Sequence, residues 1–322
     1  MTTAVQAPDA ATAPVAGPVL ALDIGGTKLA AGVVDSSGVS HSFLVEPSQA
    51  DEGPDATLAR LFDLGRRAVE ASNVDWSAIG AVGIGCGGPL DSERGVLIAP
   101  PHLPGWRDVP VLELASRAYD RPVMLENDAT AAAAGEHRWG AGADTDNMVY
   151  LTISTGVGGG VVIDGKLYRG AGGNGGELGH VTVDWHGRVC RGCGRHGCLE
   201  AYVSGTSIAE RAREAGLTIE SAEQVAAAAR AGDAVATRIW DETVEALACG
   251  LTSIVNLFEP ELVVLGGGVV RSGEQLLGPV RETVRASAIG PAAGAKVVAT
   301  AFGDRVGVIG AAAVVYDRTP SE

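Results

Sequence analysis

Between Gly176 and Glu200 the chain gathers the residue types that hold a metal ion. Cys190, Cys193 and Cys198 fall within nine residues, and His180 stands ten positions before the first of them. One imidazole and three thiolates fill a tetrahedral zinc site; four protein ligands leave no open position for water, so the ion would be structural and would brace a loop. A disulfide is the competing use of cysteines this close. An intracellular chain keeps its thiols reduced, however, and there such a cluster binds metal or does redox chemistry. Glu177 lies three residues before the histidine and Glu200 two residues after the last cysteine. Either acid alone could be a solvated surface group. At the two ends of a pinned loop they can be held at a fixed separation, which recognition of a polyhydroxyl ligand requires.

A second kind of chemistry is written in glycine. Val19 to Asp23, then Ile24-Gly25-Gly26-Thr27-Lys28, then Leu29 to Val34 reads as strand, glycine turn, strand. The paired glycines let backbone N–H groups approach a phosphate with no Cβ in the way, and Thr27 and Lys28 add a hydroxyl and a charge. Asp23, at a strand end beside phosphates, is a natural place to hold hydrated Mg2+. The spacing is not that of a Walker loop, and a Gly-Gly turn is also an ordinary hairpin. The pattern then recurs: strand Met148 to Ile153, Ser154-Thr155-Gly156-Val157-Gly158-Gly159-Gly160, and Val161 to Ile163. Two such hairpins facing each other can cradle a polyphosphate. A third turn, Gly266-Gly267-Gly268 after strand Glu261 to Leu265, could let the chain pass close to a flat adenine or ribose.

These groups need elements to position them. Strand Pro122 to Glu126 leads into Asn127-Asp128 and a run of alanines, which reads as a helix with two good N-caps at its start. Asp128 could cap that helix, or could be a carboxylate at the mouth of a crevice that takes a proton from a substrate hydroxyl attacking phosphorus. An amphipathic helix over about Asp55 to Ser72 carries Leu58, Leu61, Leu64, Ala68 and Val69 on one side. Strands are expected at Ser40 to Val45, Ile79 to Gly85 and Lys296 to Ala299. Helices are expected at Val109 to Tyr119, Thr206 to Ala215, Ser221 to Ala231, Asp233 to Asn256, Arg271 to Ser287 and Arg305 to Tyr316, the last packing back on the first lobe. His102-Leu-Pro-Gly-Trp106 reads as a rigid surface turn whose aromatic could border a sugar or plug a gap. Cys86 and Cys249 sit in apolar contexts and read as small buried hydrophobes.

Composition bounds the function. A chain of 322 residues with 46 glycines and 4% aromatics suits a loop-rich α/β protein of about two lobes. Its net charge of -15 argues against nucleic acid and against an anionic membrane surface. Residues 1–18, rich in Ala, Thr and Pro, read as a disordered tail with neither a signal peptide nor a spanning helix, so the expected location is cytoplasmic.

Five motifs in order carry a resemblance over Val19 to Tyr316: Asp23-Ile-Gly-Gly-Thr-Lys28, Glu126-Asn-Asp-Ala129, Ser154-Thr-Gly-Val-Gly-Gly-Gly160, Glu177-Leu-Gly-His180, and the cysteine loop closing with Glu200. The chain resembles the ROK family of repressors, open reading frames and sugar kinases. The resemblance implies a two-lobed actin-like ATPase fold of the ribonuclease H-like kind, with a ligand cleft between lobes at residues 19–124 plus 303–318 and at 125–302. It implies a glucokinase-like hexose kinase using ATP and Mg2+, with a structural Zn2+ and a homodimeric or homotetrameric assembly. Asp128 would then be the catalytic base, and Asn127, Glu177, His180 and Glu200 would hold sugar hydroxyls. Asp23, Gly25, Gly26, Thr27, Lys28, Thr155, Gly156, Gly158 and Gly267 would serve the nucleotide. His180 would serve twice, one ring nitrogen on zinc with Cys190, Cys193 and Cys198, the other toward the sugar.

Two departures from the family pattern bear on this. The family usually has one residue between the first two cysteines, where this chain has Arg191 and Gly192, so either Cys190 or His196 could complete the zinc site. His102 stands where glucose-using relatives often have Asn, which leaves the sugar open, and Leu199-Glu200-Ala-Tyr-Val-Ser-Gly205 is similar to N-acetylmannosamine kinases as well as to glucokinases, so an N-acetylated hexosamine such as N-acetylmannosamine is the alternative to glucose. Polyphosphate stays open as an alternative donor. A non-catalytic sugar-sensing regulator is the remaining alternative, but regulators of the family carry a helix-turn-helix domain ahead of the first glycine turn, where this sequence has eighteen residues before Val19.

Overall fold

The computed structural model describes residue 15 and residues 17–318, so nearly all of the tail expected over residues 1–18 lies outside the described residues. Ten of the strands form two sheets that share one pattern. The first is built from β1 (Val19–Ile24), β2 (Lys28–Val34), β3 (Leu44–Pro47), β4 (Ala81–Cys86) and, beyond a small ribbon of β5 (Leu90–Asp91) and β6 (Val96–Leu97), β7 (Val123–Asn127). Its order is β3-β2-β1-β4-β7, with β1 to β3 antiparallel and β4 and β7 parallel to β1. The second contains β8 (Met148–Ile153), β9 (Val157–Ile163), β10 (Lys166–Leu167), β11 (Leu262–Gly266) and β12 (Lys296–Ala299). Its order, β10-β9-β8-β11-β12, repeats that arrangement of an antiparallel meander followed by two parallel strands.

Side chains alternate across each sheet with the strand period of two, and the two sides meet different helices. In β1, Leu20, Leu22 and Ile24 pack on Leu61 and Leu64 of α1 (Pro54–Ser72), and the same core includes Val111 and Ala115 of α2 (Val111–Tyr119). Val19 and Ala21 point the other way, onto Val308, Ala312 and Val315 of the last helix, Val306–Arg318. In β8, Met148 and Tyr150 meet Ala132 and Ala133 of α3 (Asp128–Trp139). Val149, Leu151 and Ile153 pack on an outer layer made by α4 (Glu200–Val203), α5 (Gly205–Glu214), α6 (Ala222–Arg230), α7 (Ala234–Phe258) and α8 (Glu274–Ser287). The last helix, α9, lies on the first sheet, α3 lies on the second, and the two pack against each other. A Cβ placed on Gly135 of α3 would lie 3.0 Å from the backbone nitrogen of Gly310 in α9, so the helices cross nearly backbone to backbone.

Most expected elements are present with ends shifted by one to three residues. The strand expected over Ser40 to Val45 forms at Leu44–Pro47, Ser40 making an isolated bridge to Val34. The helix expected from Arg271 is split: a 3-10 turn covers Gly268–Ser272, Gly273 takes φ +64°, and α8 begins at Glu274. Strand β7 carries the first sheet through Asn127, beyond the expected boundary at 124. Cys86 is buried, but Cys249 is exposed, because α7 turns Leu247, Leu251 and Ile254 inward and leaves 249 outside. Among the described residues no helix is long and apolar enough to cross a membrane.

Candidate active site

The site forms where α3 begins. Strand β7 ends on Asn127, whose Oδ1 accepts hydrogen bonds from the backbone nitrogens of Ala129 (3.0 Å) and Thr130 (3.2 Å). Asn127 is therefore the N-cap, and Asp128, the first helical residue, also accepts from the Ala129 nitrogen through its Oδ1 at 2.8 Å. Burial raises the Asp128 carboxyl above its ordinary value, with His102 drawing it back down. Asp23 is pushed up to about 7, first by burial and then by Asp128, while Lys28 pulls it back. The two acids, both partly buried, face one space because Gly85 of β4 presents no side chain there; a Cβ on it would lie 3.8 Å from Asp128 Cα and from Asp23 Oδ1. The start of α9 comes closer still, since a Cβ on Gly307 would overlap the Asp23 carboxylate.

Both glycine turns are at this place. In the first, the Gly25 nitrogen donates to the Lys28 carbonyl at 3.0 Å. Ser48 pins the turn from behind, its hydroxyl on the Gly26 carbonyl (2.6 Å) and its nitrogen on the Thr27 carbonyl (3.1 Å), and the Thr27 and Lys28 side chains are exposed. In the second, the Ser154 nitrogen donates to the Gly156 carbonyl at 2.9 Å and Thr155 is exposed. Gly267 lies beside this second turn in a left-handed conformation, φ +90°; a Cβ on it would come within 2.7 Å of the Ile153 nitrogen, so only glycine fits. Gly158 is placed differently from the expectation of a nucleotide contact: a Cβ there would lie 2.8 Å from Ala129 Cβ, so its smallness lets β9 lie against the start of α3.

The cysteine loop closes the remaining side. His180 Nδ1 lies 3.7 Å from Cys190 Sγ, Cys193 Sγ lies 3.5 Å from Cys198 Sγ, and all four candidate ligand atoms lie within 4.8 Å of one another. A tetrahedral zinc with ordinary bond lengths holds its ligands about 3.5–3.8 Å apart, so this donor set fits that ion. His196 is turned away, its Nδ1 2.8 Å from the Gly187 carbonyl, and Cys190 occupies the fourth place. The two residues between Cys190 and Cys193 are accommodated because the second is glycine; a Cβ on Gly192 would press within 2.6 Å of Glu200 Oε1.

Glu200 opens α4 and ties the loop to the second hairpin. Its Oε2 accepts from the Val157 nitrogen at 2.9 Å, and its Oε1 accepts from Cys190 Sγ at 3.3 Å. His180 directs its other ring nitrogen, Nε2, to Glu177 Oε2 at 3.8 Å. Burial raises the Glu177 carboxyl, His180 lowers it, and Asp128 and Glu200 raise it further, so the three acids are near enough to sense one another. The expected set of Asn127, Asp128, Glu177, His180 and Glu200 is thus assembled around one space.

Two further residues border this space, Arg169, which belongs to no motif, and His102 of the Leu-Pro-Gly-Trp turn. Arg169 reaches back with its Nε 2.8 Å from Oε2 of the buried Glu126, whose Oε1 accepts from the Asn127 nitrogen at 3.1 Å. Nothing in the local spacing around Arg169 announces this, since the partner is 43 positions away. The turn expected on the surface at His102 to Trp106 instead buries Leu103 and Trp106 at 1% and 3% exposure, so the aromatic plugs a gap and His102 faces the site.

With this geometry described, comparison with known proteins is direct: residues 19–318 match the ROK family. The chain belongs to the ROK family. Among ROK relatives, a glucokinase of Thermotoga maritima is 36% identical, the match covering 93% of this chain and 98% of that one. An N-acetylmannosamine kinase of Yersinia pseudotuberculosis is 37% identical over 78% of this chain and 82% of its own. A ROK glucokinase from Streptomyces griseus, solved with glucose and AMPPNP, superposes with a TM-score of 0.80 at 34% identity, covering 92% of this chain and 99% of that one. The ROK fold of the actin-like kind accounts for the duplicated sheets.

Proposed function

We propose that this ROK chain is an ATP-dependent hexose kinase that transfers the γ-phosphoryl group to a sugar hydroxyl, with glucose as acceptor. The carrying observation is the meeting of Asp128, Glu177 and Glu200 between two glycine turns. The likeness to glucokinases of Thermotoga maritima and Streptomyces griseus supports the same reading.

Asn127, Glu177, Glu200 and His180 Nε2 hold the sugar hydroxyls. Thr27, Lys28, Thr155 and the backbone at Gly25, Gly26 and Gly156 take the phosphates, and Gly267 passes under the nucleoside. Asp23 would hold hydrated Mg2+, which when bound would neutralise phosphate charge. Zn2+, when held by His180, Cys190, Cys193 and Cys198, fixes the loop and the His180 ring. Asp128 takes the proton from the attacking hydroxyl as that oxygen bonds to the γ-phosphorus. The bond from γ-phosphorus to the bridging oxygen breaks, ADP leaves with the electron pair, and Asp128 returns the proton to solvent. A carboxyl raised by burial is a better-matched base near neutral pH than an ordinary one. The rest of catalysis is positioning and charge stabilisation, as in phosphoryl transfer generally.

The test is ADP release measured across glucose, mannose, fructose, allose, glucosamine and the N-acetylhexosamines, with and without a zinc chelator. Turnover of glucose at the highest kcat/KM is expected, and a panel in which no hexose turns over would overturn the reading. The likeness to N-acetylmannosamine kinase favours a second acceptor, and a preference for N-acetylmannosamine in the same panel would select it. A homodimer or homotetramer belongs to this proposal, and sedimentation velocity tests it.

A further inference from the structure

One charged pair crosses between the two sheets beside the acceptor space and has no role in the scheme above. Glu126 stands just before Asn127 in β7 of the first sheet, and its side chain is 1% exposed. Arg169 belongs to the edge of the second sheet: it follows β10, where the Tyr168 nitrogen donates to the Val161 carbonyl at 2.8 Å and prolongs the ladder. Its guanidinium, with 32% of the side chain exposed, reaches over to donate from Nε to Glu126 Oε2 at 2.8 Å. Glu126 Oε1 in turn accepts from the Asn127 nitrogen at 3.1 Å. The main chain of Arg169 is tied to the loop that leads to Glu177. Its carbonyl accepts from the Gly175 nitrogen at 2.8 Å, which closes residues 170–174 into a loop. The next residue, Gly176, lies so near β9 that a Cβ on it would be 2.9 Å from the Gly159 carbonyl oxygen, and Glu177 follows at once. A line of contacts therefore runs from the Asn127 amide through the Glu126 carboxylate and Arg169 to a residue two positions before Glu177.

We propose that Arg169 is a positioning residue for the acceptor sugar: through Glu126 it sets the end of β7, where Asn127 and Asp128 stand, against the loop that carries Glu177. The proposal rests on the reading of these three residues as part of the acceptor set. Asn127 spends its side-chain oxygen on the Ala129 and Thr130 nitrogens, so its backbone decides where its amide nitrogen points. The bond from that backbone to a carboxylate is charge-assisted, and the guanidinium fixes the same carboxylate from a second direction. Stability alone does not call for such a pair. A buried ion pair is often no more stabilising than an apolar pair of similar volume, so what it supplies here is direction. The two partners stand 43 positions apart and flank different sheets, so the pair couples Asp128 on one side to Glu177 on the other. A shift of about 1 Å between groups that hold a substrate and the group that reacts with it can slow catalysis about a hundredfold.

Amide exchange and kinetics on the full chain test this role. In the ligand-free protein, Arg169→Gln is expected to speed exchange by about tenfold or more at the Asn127, Ala129 and Thr130 amides as well as at Gly175, the size set by one hydrogen bond to a charged group. Faster exchange at residues 170–176 alone, or an equal rise throughout both sheets, would overturn the proposal. This readout needs no turnover, so its failure is distinct from failure of the kinase reading, which shows as a wild type that phosphorylates no hexose. With glucose and ATP, Arg169→Gln should lower kcat by about tenfold to a hundredfold and raise KM for glucose, while KM for ATP stays within about twofold. An equal change in both KM values would also overturn the proposal. The double variant Glu126→Leu/Arg169→Met separates direction from stability. An apolar pair of similar size is expected to hold the melting temperature near that of the wild type, yet kcat for glucose should stay low. Recovery of kcat along with stability would reduce the pair to a structural brace and end the proposal. Should Arg169→Gln fail to fold, the apolar pair carries both the exchange and the kinetic measurements.

Discussion

At the scale of single residues the function turns on which of two adjacent polar side chains caps a helix. Asn and Asp both cap well, so composition could not tell whether Asp128 serves the helix or the chemistry. At the end of β7, Asn127 is bonded to the Ala129 and Thr130 amides and is the N-cap, while Asp128 lies one step inside the helix with its Oδ1 accepting from the Ala129 nitrogen, and on the proposed reading its carboxylate serves the chemistry. Asp128→Ala should lower kcat by about 10²–10⁴ in an ADP-release assay while circular dichroism stays unchanged, because general-base loss is of that size and the cap remains. Asp23 makes a second prediction, on stability. A carboxyl whose folded value lies above its unfolded one favours the fold when protonated. Its contribution is whole below its ordinary 3.8 and is lost as pH rises toward about 7. Above that, Asp23 is a half-buried charge that opposes folding. Asp23→Asn should therefore raise the melting temperature of the nucleotide-free protein at pH 8 and leave it unaltered at pH 3.5, by differential scanning calorimetry. Equal effects at the two pH values would refute the assignment. The residues that carry motifs were legible one by one; Arg169 was not, since it acts through Glu126, brought near only by the fold.

Among the elements, the cysteine loop and the second hairpin are joined by one side chain. Glu200 lies against Cys190 on one side and takes the Val157 amide of β9 on the other. On the proposed reading, removal of Zn2+ should free the His180 ring and loosen the loop that Glu200 ties to β9. Chelation is expected to raise KM for the sugar by about tenfold or more, the range seen when metal-supporting contacts are lost. Amide exchange at Val157 should speed up together with that at residues 180–198, and exchange that changes only in the loop would contradict the link. The glycines of β9 show where element-level reading falls short. Gly158 and Gly160 look like part of a phosphate turn, yet a Cβ on Gly160 would sit 2.6 Å from Ala133 Cβ, so these positions answer to helix packing. A run of glycines looks alike whether a ligand or a helix must come close. Strands and helices were recovered because the period-two and period-3.6 patterns are strong here, and the ends moved where caps and single glycines such as Gly273 decided.

For the molecule as a whole, α3 and α9 form the joint between the two sheets. A methyl added to Gly310 has two opposing effects. Alanine improves helix propensity by about 1 kcal/mol over glycine. Against that, the new Cβ would lie 2.6 Å from the Ala132 nitrogen of α3, inside backbone that cannot rotate away, and overpacking of this kind costs about 1–3 kcal/mol or more. The clash should win: Gly310→Ala is expected to lower the melting temperature, whereas Gly278→Ala in α8, where the nearest atom would be 3.7 Å away, should be neutral or stabilising.

The same joint has a consequence for biosynthesis. The inner side of the first sheet, with Val19, Ala21, Ala30, Val34 and Ala81, is covered by Val308, Ile309, Ala312 and Val315. Nearly three hundred positions separate β1 from that cover. While the ribosome is still translating the second half, the first half stands as a sheet with one oily side bare. It should be a chaperone client throughout that interval, and a stop codon before Val306 would leave a chain that cannot be released into solution.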